Sequence, residues 1–274
     1  MSIGLLCAAV GISRQGYYKA HKARRRREID EEAILELVKR ERRLQPEIGA
    51  RKLLKLFGAD LEEMGIRIGR DRFFELLGLK GLLVAKRQRR GPQTTQSRHG
   101  FRTYENLLAD LVLTGPHQAW VSDITYVRTE EGFLYVFVIT DRWSRKIVGY
   151  AGAWTLEAQG GISALSMALL QLPEGKRPIH HSDRGIQYCC WDYIEMLESR
   201  GLTVSMTQQN HCYENAAAER VNGILKQEYG LGRVFQTRAQ ALSGLEQGVW
   251  LYNTRRPHVS LGYRIPSEVH EAAA

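Results

Sequence analysis

A chain of 274 residues with 43% hydrophobic and 25% charged residues has the size and composition of one large globular domain or two smaller ones. No run approaches the roughly 18 consecutive apolar residues of a membrane span. MSIGLLCAAVGIS lacks the basic start of a signal peptide, and Cys7, Cys189, Cys190 and Cys212 make no CxxC pair, so a membrane span and a disulfide scaffold are excluded and a reduced, cytoplasmic protein is expected. The net charge of +9 is unevenly spread: residues 1–100 hold 23 of the 39 Lys and Arg but 12 of the 30 Asp and Glu. A basic front half on a faintly acidic back half fits a polyanion-binding region joined to a different kind of core, although a solvated helical surface accounts for charge alone equally well.

In chain order, residues 1–85 read as helical. Ser13 is a good N-cap for RQGYYKAHKARRRR, and a second helix is expected from Asp30 to about Arg43, with Ile34, Leu35, Leu37 and Val38 as its apolar stripe. ARKLLKLFGADLEEMG and GRDRFFELLGLKGL follow as short basic helices separated by Gly turns, a pattern compatible with helix-turn-helix units that bind DNA. Arg24, Arg25, Arg26 and Arg27 read as an arm on a phosphate backbone, because plain charge carries no sequence code. Residues 86–114 open with KRQRRGPQTTQSRHG, which has no apolar residue and no period, and read as a basic linker.

From residue 115 the texture changes. AWVSDITYVRT, FLYVFVIT and KIVGYAGAW are β-branched and aromatic and are separated by short turns, as in three antiparallel strands. A helix over 156–172, the strand RPIHHSD, the helix WDYIEMLESR, the strand LTVSMT and a helix over 215–229 complete a core spanning 115–232 with a mixed five-stranded sheet. A C-terminal helix and tail occupy 233–274.

Three acids fall where such a core gathers them. Asp123 lies inside the first strand, Asp183 just past the fourth, and Glu219 on the helix after the fifth. A charge in a central strand is costly unless it is paired or bound to a metal. Taken singly, Asp123 is as compatible with a structural acid facing an arginine. On the Glu219 helix, Asn215, Glu219, Asn222 and Lys226 form one polar stripe beside the apolar stripe Ala218, Val221 and Leu225. Three oxygen-bearing acids can hold two hard cations and so promote an in-line phosphoryl displacement. Asp141 reads as structural, paired with Arg142 or Arg145. His180 and His181 near Cys189 and Cys190 do not match zinc spacing and read as strand packing.

The spacing Asp123, Asp183, then 35 residues to Glu219, resembles the Asp-Asp-35-Glu pattern of retroviral-type integrases and bacterial transposases. The words WVSDITYV, HSDRGIQY, ENAAAERVNGILKQE and YNTRRPHVSLGYRIP narrow it to the orfB transposases of the insertion-sequence-three family, with departures at Glu214 and Ile186. The resemblance implies an α/β RNase H-like core behind an all-α, helix-turn-helix-type N-terminal region. It also implies DNA strand cleavage at the element's ends and strand transfer to a target, with Asp123, Asp183 and Glu219 holding two Mg2+ ions, or Mn2+ as a substitute. Candidates for gripping DNA are Asn222, Lys226, Arg184, Arg255 and Arg256, together with Arg24 to Arg27. The expected partners are DNA, an upstream-frame subunit, and a second copy at least, since two DNA ends must be paired; nucleoid association and no membrane contact follow. The alternatives are a decayed or domesticated DNA-binding protein without catalysis and an RNase H-like nuclease that cuts without joining.

Overall fold

The computed structural model describes residues 2–85, 100–208 and 212–273. Two compact units emerge, Met1–Leu44 with Ile48–Ala85, and Gln45–Glu47 with Lys86–Ala274. Among the described residues no helix is long and apolar enough to cross a membrane.

The first unit is all-α: α1 (Ile3–Ala9), α2 (Arg14–Leu44), α3 (Ala50–Leu56), α4 (Gly58–Glu63) and α5 (Arg70–Leu79). Ser13 caps α2 as expected, its Oγ accepting from the Gly16 N–H at 2.9 Å. The helix does not restart at Asp30, however. Residues 14–44 contain no proline and a single glycine, and Asp30 serves as the i+4 partner of Arg26 at 2.9 Å, with Arg24 and Glu28 paired at 3.0 Å. The four-arginine run is therefore not an arm. It is one turn of a continuous helix, and at 100° per residue its side chains fan around the whole circumference. Beyond Asp30 the stripe Ile34, Leu37 and Val38 turns inward against Leu53, Phe57, Leu61, Phe73, Leu76 and Leu77.

The second unit is built on a sheet. An antiparallel meander, β1 (Ala119–Thr129), β2 (Gly132–Asp141) and β3 (Ile147–Ala153), leads into α6 (Ala158–Leu170), β4 (Ile179–Ser182), α7 (Ile186–Cys189), α8 (Trp191–Ser199) and β5 (Thr203–Met206). Then come α9 (Ala216–Glu228), β6 (Val234–Phe235), α10 (Arg238–Thr254) and α11 (Pro266–Glu271). The strand order is β3-β2-β1-β4-β5, with β4 and β5 parallel to β1. This is the RNase H-like arrangement, helices on both faces of a mixed sheet. The two-residue β6 adds a sixth strand against Arg128 and Thr129; two residues are too few to carry a period of two, so the sequence pattern missed it.

Each face has its own core. Trp120, Phe137 and Ile139 meet Leu165, Tyr193 and Leu197 from α6 and α8 on one side. Val127, Leu134, Val136 and Val138 meet Val221, Leu225, Leu245 and Tyr252 from α9 and α10 on the other. The stretch 233–274 is thus not a separate tail, since α10 supplies half of the second face. The linker is also shorter than the sequence pattern suggests. Residues 86–99 lie outside the described residues, but Leu108 is buried against Ala119, Val121 and Ala218, and the Leu107 N–H donates to Ser205 Oγ at 2.9 Å.

Contact between α6 and the meander requires two glycines. A Cβ on Gly149 would sit 2.2 Å from the Ala164 carbonyl oxygen, and one on Gly160 would sit 2.2 Å from the Phe137 ring. Gly149→Ala meets backbone that cannot step aside, so a loss of about 1–3 kcal/mol is expected in urea unfolding. A variant as stable as the wild type would show that α6 can lift without cost.

Asp141 is fully buried, and its side-chain hydrogen-bond partners are not the arginines expected from the sequence. Its Oδ2 accepts from the His117 N–H at 2.7 Å, and its Oδ1 accepts from the Ser144 N–H and hydroxyl at 2.8 and 2.9 Å. Arg142 turns instead to the Leu108 carbonyl at 3.0 Å. Ser144 Oγ in turn meets His270 Nδ1 at 2.8 Å, and His270 Nε2 meets His117 Nε2 at 3.0 Å, which fastens α11 to the end of β2.

Candidate active site

Strand register brings the first two acids together. β1 and β4 run parallel with Val121 opposite His181. Two residues further along β1 stands Asp123, and two residues past His181, just beyond the end of β4 at Ser182, stands Asp183, close enough for its charge to be felt at Asp123. On β1 the amide side chain of Asn222 marks the face of the sheet that Asp123 occupies, the face covered by α9.

Each carboxylate accepts hydrogen bonds from neutral donors. Asp123 Oδ1 accepts from the Ile124 N–H at 2.9 Å, and Oδ2 accepts from Asn222 Nδ2 at 2.9 Å. Asp183 Oδ1 accepts from the Gly185 N–H at 2.9 Å, which closes the tight turn after β4. Asp123 keeps an edge at the surface, yet its carboxyl is packed about like an interior group. Burial first, and then the charge of Asp183, push its pKa up to about 7; the charge of Glu219 adds to the rise, while the Asn222 and Ile124 hydrogen bonds oppose it.

Glu219 stands in the first turn of α9 and is exposed. It is close enough for its charge to be felt at Asp123. Among the described residues, however, no three Asp, Glu, His or Cys side chains converge closely enough to enclose an ion. The structure thus brings Asp123 and Asp183 side by side and leaves Glu219 at the open edge. The donors available to a cation here are hard oxygens, two carboxylates and the Oδ1 of Asn222, which is buried without a hydrogen-bond partner among the described residues. That set suits Mg2+ or Mn2+ rather than a thiophilic metal.

Along α9 the predicted polar stripe is real, but its members do different things. Asn222 is 5% exposed and its amide nitrogen is committed to Asp123, so it does not reach out to DNA. Asn215, 3% exposed, donates from Nδ2 to the Ser122 carbonyl at 2.9 Å, a clasp that the stripe alone did not reveal. The Lys226 ammonium lies 4.4 Å from the centre of the Tyr126 ring; burial lowers its pKa, and the charge of Asp123 acts against that.

The remaining candidates scatter. Arg184 donates from Nε to the Thr207 carbonyl at 2.7 Å and is half-buried, as is Arg255. Arg256 turns inward, away from the surface. Its guanidinium is 2% exposed and forks onto Glu228 at the end of α9, with Nε and Nη2 at 2.8 and 2.9 Å from the two carboxylate oxygens. His180 bonds Ser122 Oγ at 2.7 Å and Tyr193 Oη at 2.9 Å, and His181 bonds Ser205 Oγ at 2.9 Å. Burial pushes the two imidazoles down to about 3 and about 4, as expected for uncharged strand-packing groups.

The chain matches two family models, both described as Integrase core domain, over residues 114–212 and 200–266. It is 37% identical over 271 residues to the insertion element IS600 uncharacterized 31 kDa protein of Shigella sonnei, covering 97% of each chain. It is 40% identical over 157 residues to transposase InsF for insertion sequence IS3A of Escherichia coli K12, covering 57% of this chain and 54% of that protein. In other words, the match spans about half the length of InsF. Among solved structures it is similar to the catalytic core domain of HTLV-2 integrase, a magnesium complex, with a TM-score of 0.46 and 17% identity over 57% of this chain and 97% of that one. It is also similar to a chain of the simian T-cell lymphotropic virus intasome in complex with PP2A regulatory subunit B56 gamma, with a TM-score of 0.48 and 17% identity over 81% of this chain and 70% of that one. The 37% identity to an insertion-element protein over nearly the whole chain, the integrase-core matches, the 40% identity to InsF over 157 residues and the strand order β3-β2-β1-β4-β5 lead to one conclusion: the chain belongs to the insertion-sequence-three (IS3) family of transposases, whose core domain is that of polynucleotidyl transferases.

Proposed function

We propose that this transposase cleaves one DNA strand at each end of an insertion sequence and joins the freed 3′-hydroxyl to a target phosphodiester, with Asp123, Asp183 and Glu219 as the catalytic acids and ligands of two Mg2+ ions, for which Mn2+ substitutes. The observation that carries this reading is the pair Asp123, on β1, and Asp183, just past the end of the adjacent parallel β4, with Asp123 pushed up to about 7 by burial and by its neighbour's charge. Such crowding of like charges is costly in a protein that gains nothing from it, and a site that gathers cations offsets the cost.

A divalent cation bound here supplies the positive charge that favours both the attacking and the leaving oxygen of an in-line displacement. The chain's own part is to aim the acids beforehand. The Ile124 and Gly185 N–H groups fix the carboxylates of Asp123 and Asp183, and Asn222 fixes the second oxygen of Asp123. Lys226, whose ammonium feels the charge of Asp123, meets a phosphate near the acids in this reading, and Arg184 and Arg255 extend that contact. Arg24 to Arg27 on α2 add sequence-independent attraction for the backbone. The partners proposed are DNA at the element's ends and target, an upstream-frame subunit, and a second copy of the chain to pair the ends, in the cytoplasm at the nucleoid.

The test uses the full chain with its upstream partner and labelled duplexes carrying the element's ends. Cleaved and joined products are expected with Mg2+ and absent with EDTA or in Glu219→Gln. DNA retained on the protein with no product under any condition would instead identify a non-catalytic DNA-binding protein. Cleavage without joining would identify a nuclease.

A further inference from the structure

Asn222 is buried, carries an amide with two ends, and the structure uses only one of them. Its Nδ2 donates to Asp123 Oδ2 at 2.9 Å, and the Oδ1 of the same amide is buried with no hydrogen-bond partner among the described residues. A buried acceptor left unsatisfied is uncommon and calls for an explanation. Seven residues earlier, Asn215 makes the matching contact one position back on β1, from Nδ2 to the Ser122 carbonyl. Glu219 lies between the two amides on the same stripe of α9. The helix that carries the third acid is therefore clasped to the strand that carries the first on both sides of that acid.

We propose that Asn222 is a positioning residue for the reaction: its Nδ2 fixes the rotamer of Asp123, and its Oδ1 offers a neutral oxygen to the hydrated cation that Asp123 and Asp183 hold. This rests on the reading of Asp123 as a cation ligand. The amide suits both tasks at once. A carboxylate at 222 would face Asp123 as a third like charge, and an apolar residue would leave Asp123 Oδ2 without its donor while removing the spare acceptor. Residues that orient metal ligands typically change metal affinity or activity by about 10–100-fold when removed.

The experiment compares the full-length wild-type chain with Asn222→Ala, Asn222→Asp and Asp123→Asn. Mn2+ binding is read by electron paramagnetic resonance, folding by thermal melting without metal, and strand cleavage by a titration of Mg2+. Asn222→Ala is expected to weaken Mn2+ binding and raise the half-saturating Mg2+ by about 10–100-fold, with excess Mg2+ restoring part of the rate and the melting temperature close to that of the wild type. Asn222→Asp, which keeps the size of the side chain and guards against a folding failure in the alanine variant, is expected to shift the same Mg2+ dependence. Wild-type Mn2+ affinity and Mg2+ dependence in both Asn222 variants would overturn the proposal, as would a lowered melting temperature with unchanged Mg2+ dependence. Asp123→Asn separates the two readings: normal cleavage in that variant sinks the cation site itself, whereas its inactivity beside unaffected Asn222 variants sinks only the role of Asn222.

Discussion

Asp123→Asn is expected to reduce strand cleavage by roughly a thousand-fold or more, the several kcal/mol that metal-assisted charge stabilisation supplies at about 1.4 kcal/mol per tenfold. The same variant should not be less stable. In the folded chain the Asp123 pKa is raised from 3.8 to about 7, so the folded state binds this proton more tightly than the unfolded state does. Stability from this group is therefore fully present below about pH 4 and is lost as pH rises through about 7. In EDTA, the wild type should show that decline in urea unfolding between pH 4 and 8, whereas an uncharged, isosteric asparagine should flatten it. Loss of activity together with flattened pH dependence would tie both effects to one crowded carboxylate. A variant that unfolds more readily at pH 8 in EDTA would show instead that the ionised acid is paired and stabilising, and that the two carboxylates do not strain the fold.

Arg256→Ala is expected to destabilise the catalytic unit by about 3–5 kcal/mol, because it strands the Glu228 carboxylate, 12% exposed, without its fork of donors. Arg256→Lys should recover only part of this, since an ammonium cannot match two carboxylate oxygens in a plane. Urea unfolding monitored by tryptophan fluorescence checks both. DNA affinity, corrected for the folded fraction, should keep its salt dependence in either variant. A shallower salt slope would return Arg256 to the surface as a phosphate contact.

Most of the second unit was legible because its strands and helices carry strong periods. AWVSDITYVRT and FLYVFVIT became β1 and β2 nearly to the residue, and LTVSMT became β5. Where two signals competed, the reading slipped. Asp30 resembles a helix start, but nothing between Arg14 and Leu44 breaks a helix, so local pairing with Arg26 absorbed it. Arg255 and Arg256 are identical in sequence terms, a basic pair before a proline. Only the position of Glu228 at the end of α9 distinguishes the half-buried residue from the one that is sealed inside.

The candidate site divides in the same way. The order and spacing of Asp123, Asp183 and Glu219, and the polar stripe on α9, are properties of the chain alone, since periodicity and residue chemistry are local. That Asp183 comes near Asp123 depends on the parallel register of β1 and β4, with Val121 opposite His181, a pairing across 60 residues that no local pattern encodes. The fate of each polar side chain was likewise decided by packing. Asn222 faces inward to Asp123, Arg256 is buried on Glu228 and Glu219 remains at the open edge, because a side chain's role depends on which partner the fold brings within hydrogen-bond reach and on how much water is left around it.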